Sequence, residues 1–277
     1  MAVSLNAPAV DAAIAALLDA VDEQTGLDFH DYSPASLHRR IQRRVVAERV
    51  ESVAALGQLI RSDPAALARL TEALTVPVTS MFRDPAFFRE FRARVAPFLR
   101  THAFLRLWVA GCSTGQEVYS LAIVLHEEGL AERSRIYATE LQPATLDQAA
   151  SGIYPLMAMQ EYTRNYQEAG GTADFSEYYT ADASSAIVRP YLRNNIVFAV
   201  HNLVSDRSFN EFHLIFCRNV MIYFNRTLQQ RVHDLLYDSL ALWGYLGLGR
   251  SESVRFSHHE HRYEAVSERE RLYRKIL

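Results

Sequence analysis

An α/β chain with a doubly wound parallel sheet, preceded by an all-helical region, is the fold class that the sequence predicts. Three observations carry it. From about residue 104 onward, short β-branched and aromatic runs alternate with helical stretches, the pattern of a parallel sheet. Before about residue 95 the apolar residues recur at helical spacing. Between the two regions, WVAGCSTGQEVYSLA at 108–122 turns a strand into a helix through a turn with two glycines. That is the place where open α/β sheets take their ligands.

Composition sets the bounds. The chain has 277 residues, 49% of them apolar and 22% charged, enough for a full core in one large or two unequal domains. A net charge of −3 gives no global field that would favour nucleic acid. Two cysteines, Cys112 and Cys217, form no CxxC and no disulfide framework, which fits a reducing compartment. No apolar run has the roughly 18–20 residues of a membrane span. The acidic, amphipathic N-terminus lacks the basic start of a signal peptide. A soluble cytoplasmic protein without direct membrane insertion is expected.

Taken in order, Val10, Ile14, Leu17, Leu18 and Val21 line a first helix that Gly26 ends. Ser33 at the N-cap and Pro34 after it open a second helix, SPASLHRRIQRRVVAERV, with Leu37, Ile41 and Val45 as its apolar stripe. Helical stretches follow at Val53–Arg61 and Asp63–Thr75, and FRDPAFFREFRARVAPFLR leads to the first strand, LRLWVAG. GQEVYSLAIVLHEEG, RIYATEL and LQPATLDQAASGIY continue as helix, strand, helix. Later strands are NNIVFAVHNL and FHLIFCRNVMIYF, then the helix RTLQQRVHDLLYDSLA and a final pair, GYLGLGR and RFSHHEHRYEAV. Between about Ile153 and Arg193 the rhythm breaks into a tyrosine-rich polar stretch, an insertion with its own small structure.

Several positions stand out as chemistry. Gly111 and Gly115 are spaced G-x-x-x-G, matching neither the dinucleotide fingerprint nor the Walker sequence, and no lysine is present to hold a triphosphate. Glu140 ends the second strand, where an acid accepts bonds from ribose hydroxyls or complements a helix N-terminus. His201, Asn202 and Leu203 end the third strand. Arg218 and Asn219 interrupt an otherwise apolar fourth strand, and a buried arginine there demands an anionic partner. A turn, an acid and Asn-Leu describe an adenosine pocket with no need for a pyrophosphate, which suits S-adenosylmethionine better than NAD.

TVPVTSMFRDPAFF, GCSTGQEVYSLAI, ATEL, HNL and IFCRNVMIYFN occur in this order, and by them the chain resembles the CheR-type chemotaxis receptor methyltransferases. The resemblance implies a small all-helical N-terminal domain with linker over 1–95. It also implies a Rossmann-like S-adenosylmethionine-dependent domain over 96–277 with a β-subdomain insertion at about 153–193. By motif it would assign Thr79, Arg83, Glu117, Glu140, Asn202, Leu203, Arg218 and Asn219 to the cofactor. Arg83 and Tyr223 would be the catalytic pair, orienting the carboxylate and the methyl donor. The family's substrate is a glutamate side chain on the helical cytoplasmic region of a receptor, and its by-product is S-adenosylhomocysteine. This chain departs at Pro77, where the family often has Asn, at Gln116 for the first acid of STGEE, and at Glu140 for Asp.

Glutamate with a reference pKa near ~4.3 is ionised at neutral pH, so methyl transfer to it needs no general base. The absence of a Ser-His-Asp or Cys-His arrangement agrees with this. Arg39, Arg40, Arg43 and Arg44 crowd the second helix opposite its apolar stripe. By resemblance they would dock an acidic receptor bundle; a plain solvated face is the alternative. His258, His259 and His261 lack metal-ligand spacing, so no metal is expected. On a strand, His259 and His261 would share a face. A monomer is expected. The same chemistry on a non-receptor acceptor, or a non-catalytic cofactor-sensing module, are the competing readings.

Overall fold

The computed structural model describes residues 7–75 and 78–277, with side chains from residue 11 onward. Pro77, one of the departures noted above, and the Val10 side chain lie outside the described residues. By internal contacts the chain forms two compact units, Met1–Val76 with Tyr223–Leu228, and Pro77–Ile222 with Gln229–Leu277.

The first unit is helical: α1 (Ala7–Thr25), α2 (Pro34–Ala47), α3 (Val53–Ser62) and α4 (Pro64–Thr75). Leu17, Leu18 and Val21 of α1, Leu37, Ile41 and Val45 of α2, and Leu56, Ile60, Leu70 and Leu74 supply its core, the apolar faces expected from spacing. Pro34 occupies the first turn of α2, but Ser33 makes no side-chain capping bond. Its amide donates instead to the carbonyl of Tyr223 (2.7 Å), while the Asp31 carbonyl accepts from the Asn225 amide (2.8 Å). The segment Tyr223–Leu228 is thereby held by the α1–α2 connection, and Tyr32 and Phe224 meet edge to face at 5.0 Å.

In the second unit α5 (Pro85–Glu90), a π-helical turn (Phe91–Val95) and α6 (Ala96–Leu99) precede the sheet. Phe82, Phe87, Phe88 and Phe91 of this lead-in are fully buried in the core of the second unit. The main strands and helices are β1 (Leu105–Ala110), α7 (Gln116–Glu127), β2 (Ser134–Glu140) and α8 (Pro143–Ser151). The insertion follows, as β3 (Ile153–Pro155), α9 (Met159–Glu168), β4 (Tyr179–Ala181) and β5 (Ser185–Val188). Then come β6 (Ile196–Val200), β7 (Phe212–Cys217), α10 (Arg226–Ser239), β8 (Leu240–Leu248), β9 (Tyr263–Ser267) and β10 (Leu272–Lys275). Among the described residues the main sheet has seven strands in the order β6-β2-β1-β7-β8-β10-β9, and the insertion forms a separate three-stranded antiparallel sheet, β3-β5-β4. The order reverses at β1, so the ends of β1, β2 and β7 open a crevice at the switch point.

Three expectations are corrected here. The sheet is mixed, because β10 pairs antiparallel with both β8 and β9. That hairpin return needs no crossover helix, and the alternation rule that reads parallel strands does not register it. FHLIFCRNVMIYF is not one strand: β7 stops at Cys217, Asn219 takes a left-handed φ of 60°, and Met221–Tyr223 is a 3-10 turn. RFSHHEHRYEAV is a strand only from Tyr263, so His259 and His261 share no strand face. His259 stacks on Tyr237 (3.9 Å, 3°) and bonds Asp234 (2.9 Å), which also holds His258 (3.1 Å).

His233 of α10 is buried and hydrogen-bonds the backbone at Ser253, where the chain leaves β8. Burial pulls its pKa down to about 4, against the pull of Asp234 that would raise it, while His259 adds to the fall. The native ring therefore stays neutral where the unfolded ring, with an ordinary pKa near 6.5, has taken a proton. Stability is full above that value and is lost as pH falls from 6.5 towards 4. We expect this one group to cost about 2 kcal/mol of unfolding free energy between pH 7 and pH 5. Urea titrations at the two pH values should show His233→Gln losing that share of the slope; an unchanged slope would contradict the assignment.

Candidate active site

The turn after β1 is built from its own backbone outward. The Cys112 amide donates to the Thr139 carbonyl at the end of β2 (2.8 Å), which draws the ends of the two strands together. Gly115, at φ 91°, caps α7; a Cβ there would stand 3.0 Å from the Ala149 backbone, so α8 approaches too closely for any side chain. Tyr154 of β3 closes the same spot by donating to the Thr114 carbonyl (2.8 Å). Gln116 is buried between the Thr114 hydroxyl (2.7 Å) and the Tyr162 hydroxyl of α9 (3.4 Å). An amide can serve a donor and an acceptor at once, which gives the Gln116 departure a structural basis.

Glu140, at the end of β2, faces this turn. One carboxylate oxygen accepts from the Ser113 amide (2.9 Å) and the other from the Leu141 amide (2.7 Å). Burial raises its pKa, and these amides pull it back down. Beside it the Ser113 hydroxyl and the Gln142 side-chain nitrogen are buried without a hydrogen-bond partner among the described residues. Buried polar atoms are nearly always paired, so two unpaired ones flanking a carboxylate suit a ligand that brings hydroxyls. That is the fit expected of an adenosine ribose. Half-buried Asn202 accepts from the Val204 amide through its side-chain oxygen (2.9 Å), beside a buried Leu203.

Arg218 leaves β7 with its side chain only 1% exposed. Its guanidinium bonds the Glu117 carboxylate of α7, the Asp84 carboxylate (2.8 Å) and the Arg83 carbonyl (3.2 Å). It also lies over the Phe87 ring, 4.1 Å from the centroid. The anionic partner that a buried arginine demands is thus internal. Asp84 was not among the site residues expected from the sequence. Here its left-handed φ of 58° leaves α5 uncapped by the side chain and turns the carboxylate to Arg218. Arg83 itself curls back, donating to the Val78 carbonyl (3.2 Å), with half-buried Thr79 inside that loop. The insertion helix α9 steadies the same loop: the Ser80 hydroxyl donates to Glu161 (2.7 Å) and Asn165 donates to the Met81 carbonyl (3.1 Å). The Asn219 amide donates to Glu252 (2.8 Å), a second carboxylate that sequence reading passed over.

The remaining candidates belong to the first unit. Tyr223 belongs to the first unit, where the Arg40 guanidinium lies 4.4 Å from its ring centroid. Arg40 is buried, donates to the Leu74 carbonyl, and has its pKa drawn down by burial, so it is corrected from docking surface to interior. Its place one residue before Ile41 puts it at the edge of the apolar stripe. Arg39 and Arg43 are exposed, whereas Arg44 pairs with Glu48 (3.0 Å), which Arg69 also holds through two bonds. Among the described residues no cluster of His, Cys, Asp or Glu could hold a metal. No helix among them is long and apolar enough to cross a membrane.

The family model described as "CheR methyltransferase, SAM binding domain" matches residues 77–271, and the one described as "CheR methyltransferase, all-alpha domain" matches 12–75. The chain is similar to a Pseudomonas putida protein named "Putative methyltransferase Cher3", 46% identical over 265 residues, 96% of this chain and 97% of that one. It is also similar to the chemotaxis protein methyltransferase of Listeria monocytogenes, 29% identical over 84% of this chain and 87% of that one. With chemotaxis protein methyltransferase 1 of Pseudomonas aeruginosa it shares 30% identity over 78% and 80% of the two chains.

Replacing Arg218 with methionine would remove the buried cation between Glu117 and Asp84 and leave Asp84 with the half-exposed Arg250, 3.5 Å away. Breaking one member of a buried ion cluster costs about 3 kcal/mol or more. Chemical denaturation of Arg218→Met should show that loss, and a change below about 1 kcal/mol would mean that the arginine's charge is not what joins these segments.

Proposed function

The chain belongs to the CheR methyltransferase family, and on that premise we propose that it transfers a methyl group from S-adenosylmethionine to glutamate side chains in the helical cytoplasmic region of chemotaxis receptors. The single observation that carries the proposal is the placement of Glu140 at the end of β2, Glu117 in the first turn of α7 after β1, and Arg218 just after β7, on three neighbouring strands. It supports a pocket for a nucleoside whose other end is a charged amino acid.

In this reading Glu140 and the Ser113 hydroxyl take the ribose, while Asn202 and Leu203 flank the adenine. Glu117, oriented by Arg218, faces the amino group of the methionine end. Thr79, Arg83 and Asn219 complete the donor pocket. When bound, the cofactor supplies a sulfonium methyl, an electrophile that an ionised carboxylate can attack in line. The protein's task is then alignment and exclusion of water as opposite charges merge. Arg83 is the proposed orienting group for the incoming carboxylate. No residue has to take a proton, since the acceptor arrives ionised.

The exposed Arg39 and Arg43 of α2 support an acidic partner, with complementary charge setting orientation and on-rate. A methyl-labelled donor, the purified protein and a receptor cytoplasmic fragment should give label on the fragment that alkali releases as methanol, the mark of a methyl ester. Arg39→Glu with Arg43→Glu should slow receptor labelling by about tenfold or more at low salt, while affinity for S-adenosylhomocysteine stays unchanged. Alkali-stable label would overturn glutamate as the acceptor atom's source. Equal labelling by the charge-reversed protein would overturn docking through α2.

A further inference from the structure

The loop after β7 has little regular structure of its own, yet its amides converge on one side chain. Glu252 is 5% exposed. One of its oxygens accepts from the Asn219 amide (2.8 Å) and the Gly249 amide (2.6 Å). The other accepts from the Val220 (2.9 Å), Met221 (2.8 Å) and Ile222 (3.3 Å) amides. Successive amides turned inward make an anion-binding nest, and this chain fills the nest with its own carboxylate. Gly249 permits the approach, because a Cβ there would stand 2.8 Å from the Asn219 nitrogen and 2.7 Å from Glu252. Asn219 takes the left-handed conformation that asparagine tolerates better than most residues, and its amide is directed to Glu252 from there.

We propose that Glu252 is a positioning residue for the donor pocket, its carboxylate clamping the backbone of the loop that carries Arg218 and Asn219. The inference rests on the reading of those two residues as part of the pocket. Glu252 reaches the loop across about 30 residues of sequence from the far side of β8, so it fixes the loop against the sheet rather than merely closing a local turn. Burial raises its pKa while the converging amides oppose that rise. A neutral amide in its place would bring two N–H donors into a ring of donors and lose part of the clamp.

The test is calorimetric titration of S-adenosylhomocysteine into the full chain and its Glu252→Gln and Glu252→Asp variants, with amide exchange of the ligand-free wild type beside it. Glu252→Gln should bind about tenfold or more weakly at an unchanged stoichiometry of roughly one, because each bond to a charged acceptor is worth more than a neutral one. Glu252→Asp, which keeps the charge on a shorter arm, should fall between. Unchanged affinity with a reduced binding fraction is what a merely structural role would give, and it would overturn the inference. The amides of Asn219, Val220 and Met221 should exchange in wild type at least about a hundredfold more slowly than in a free loop. Loop-like exchange there removes the clamp even if both variants fail to fold. A wild type that does not bind at all removes the pocket reading first, and this role for Glu252 with it.

Discussion

A single buried cation holds the candidate site together. Arg218 carries its charge into a nearly solvent-free position and is tolerated there because Asp84 and Glu117 meet it. An uncompensated charge in that environment is among the costliest features a fold can contain. The three residues come from three segments far apart in sequence: the lead-in before α5, the first turn of α7, and the end of β7. Each segment is therefore fixed by the same interaction, and Phe87 beneath the guanidinium ties it to the aromatic core as well. The crevice at the switch point inherits its shape from that junction.

Carboxylates do related work on either side of it. Glu140 organises the turn after β1 by accepting its amide, and Glu252 gathers the loop after β7. Both are anions held chiefly by backbone donors, which lets irregular segments keep defined positions without strands or helices of their own. Glu127, in turn, anchors the insertion by accepting from the Tyr178 hydroxyl (2.9 Å) and pairing with Arg92. The chemistry assigned to the family asks for positioned loops rather than for a proton-transfer group, and positioned loops are what these ion and amide contacts supply.

Much of this was legible in the sequence because helical spacing and strand alternation are local signals. The apolar faces of α1 and α2, the strand-turn-helix at Gly115 and the acid at the end of β2 were readable in that way, while the insertion showed only as a break in the rhythm and its β character came from the family resemblance. The residues at the strand ends suggested S-adenosylmethionine, and the family motifs added the acceptor. What escaped was set by tertiary contact. Arg40 looked like its arginine neighbours, and only Tyr223 and the Leu74 carbonyl, from distant parts of the chain, make it interior. Asp84 and Glu252 were not singled out, because their partners are far away in sequence. β10 was missed because antiparallel return strands leave no crossover signal. Arg218 was flagged for the right reason, a buried charge, but its counter-charges proved to be internal.

We propose that the carboxyl ends of β1, β2 and β7 form the pocket for the methyl donor, with Glu140 taking the ribose. Calorimetric titration of S-adenosylhomocysteine into wild type and Glu140→Ala tests it most directly. One-to-one binding by the wild type, weakened about tenfold or more when the carboxylate is removed, is the expected result. Equal affinity in the two proteins, or no binding by the wild type, would contradict it.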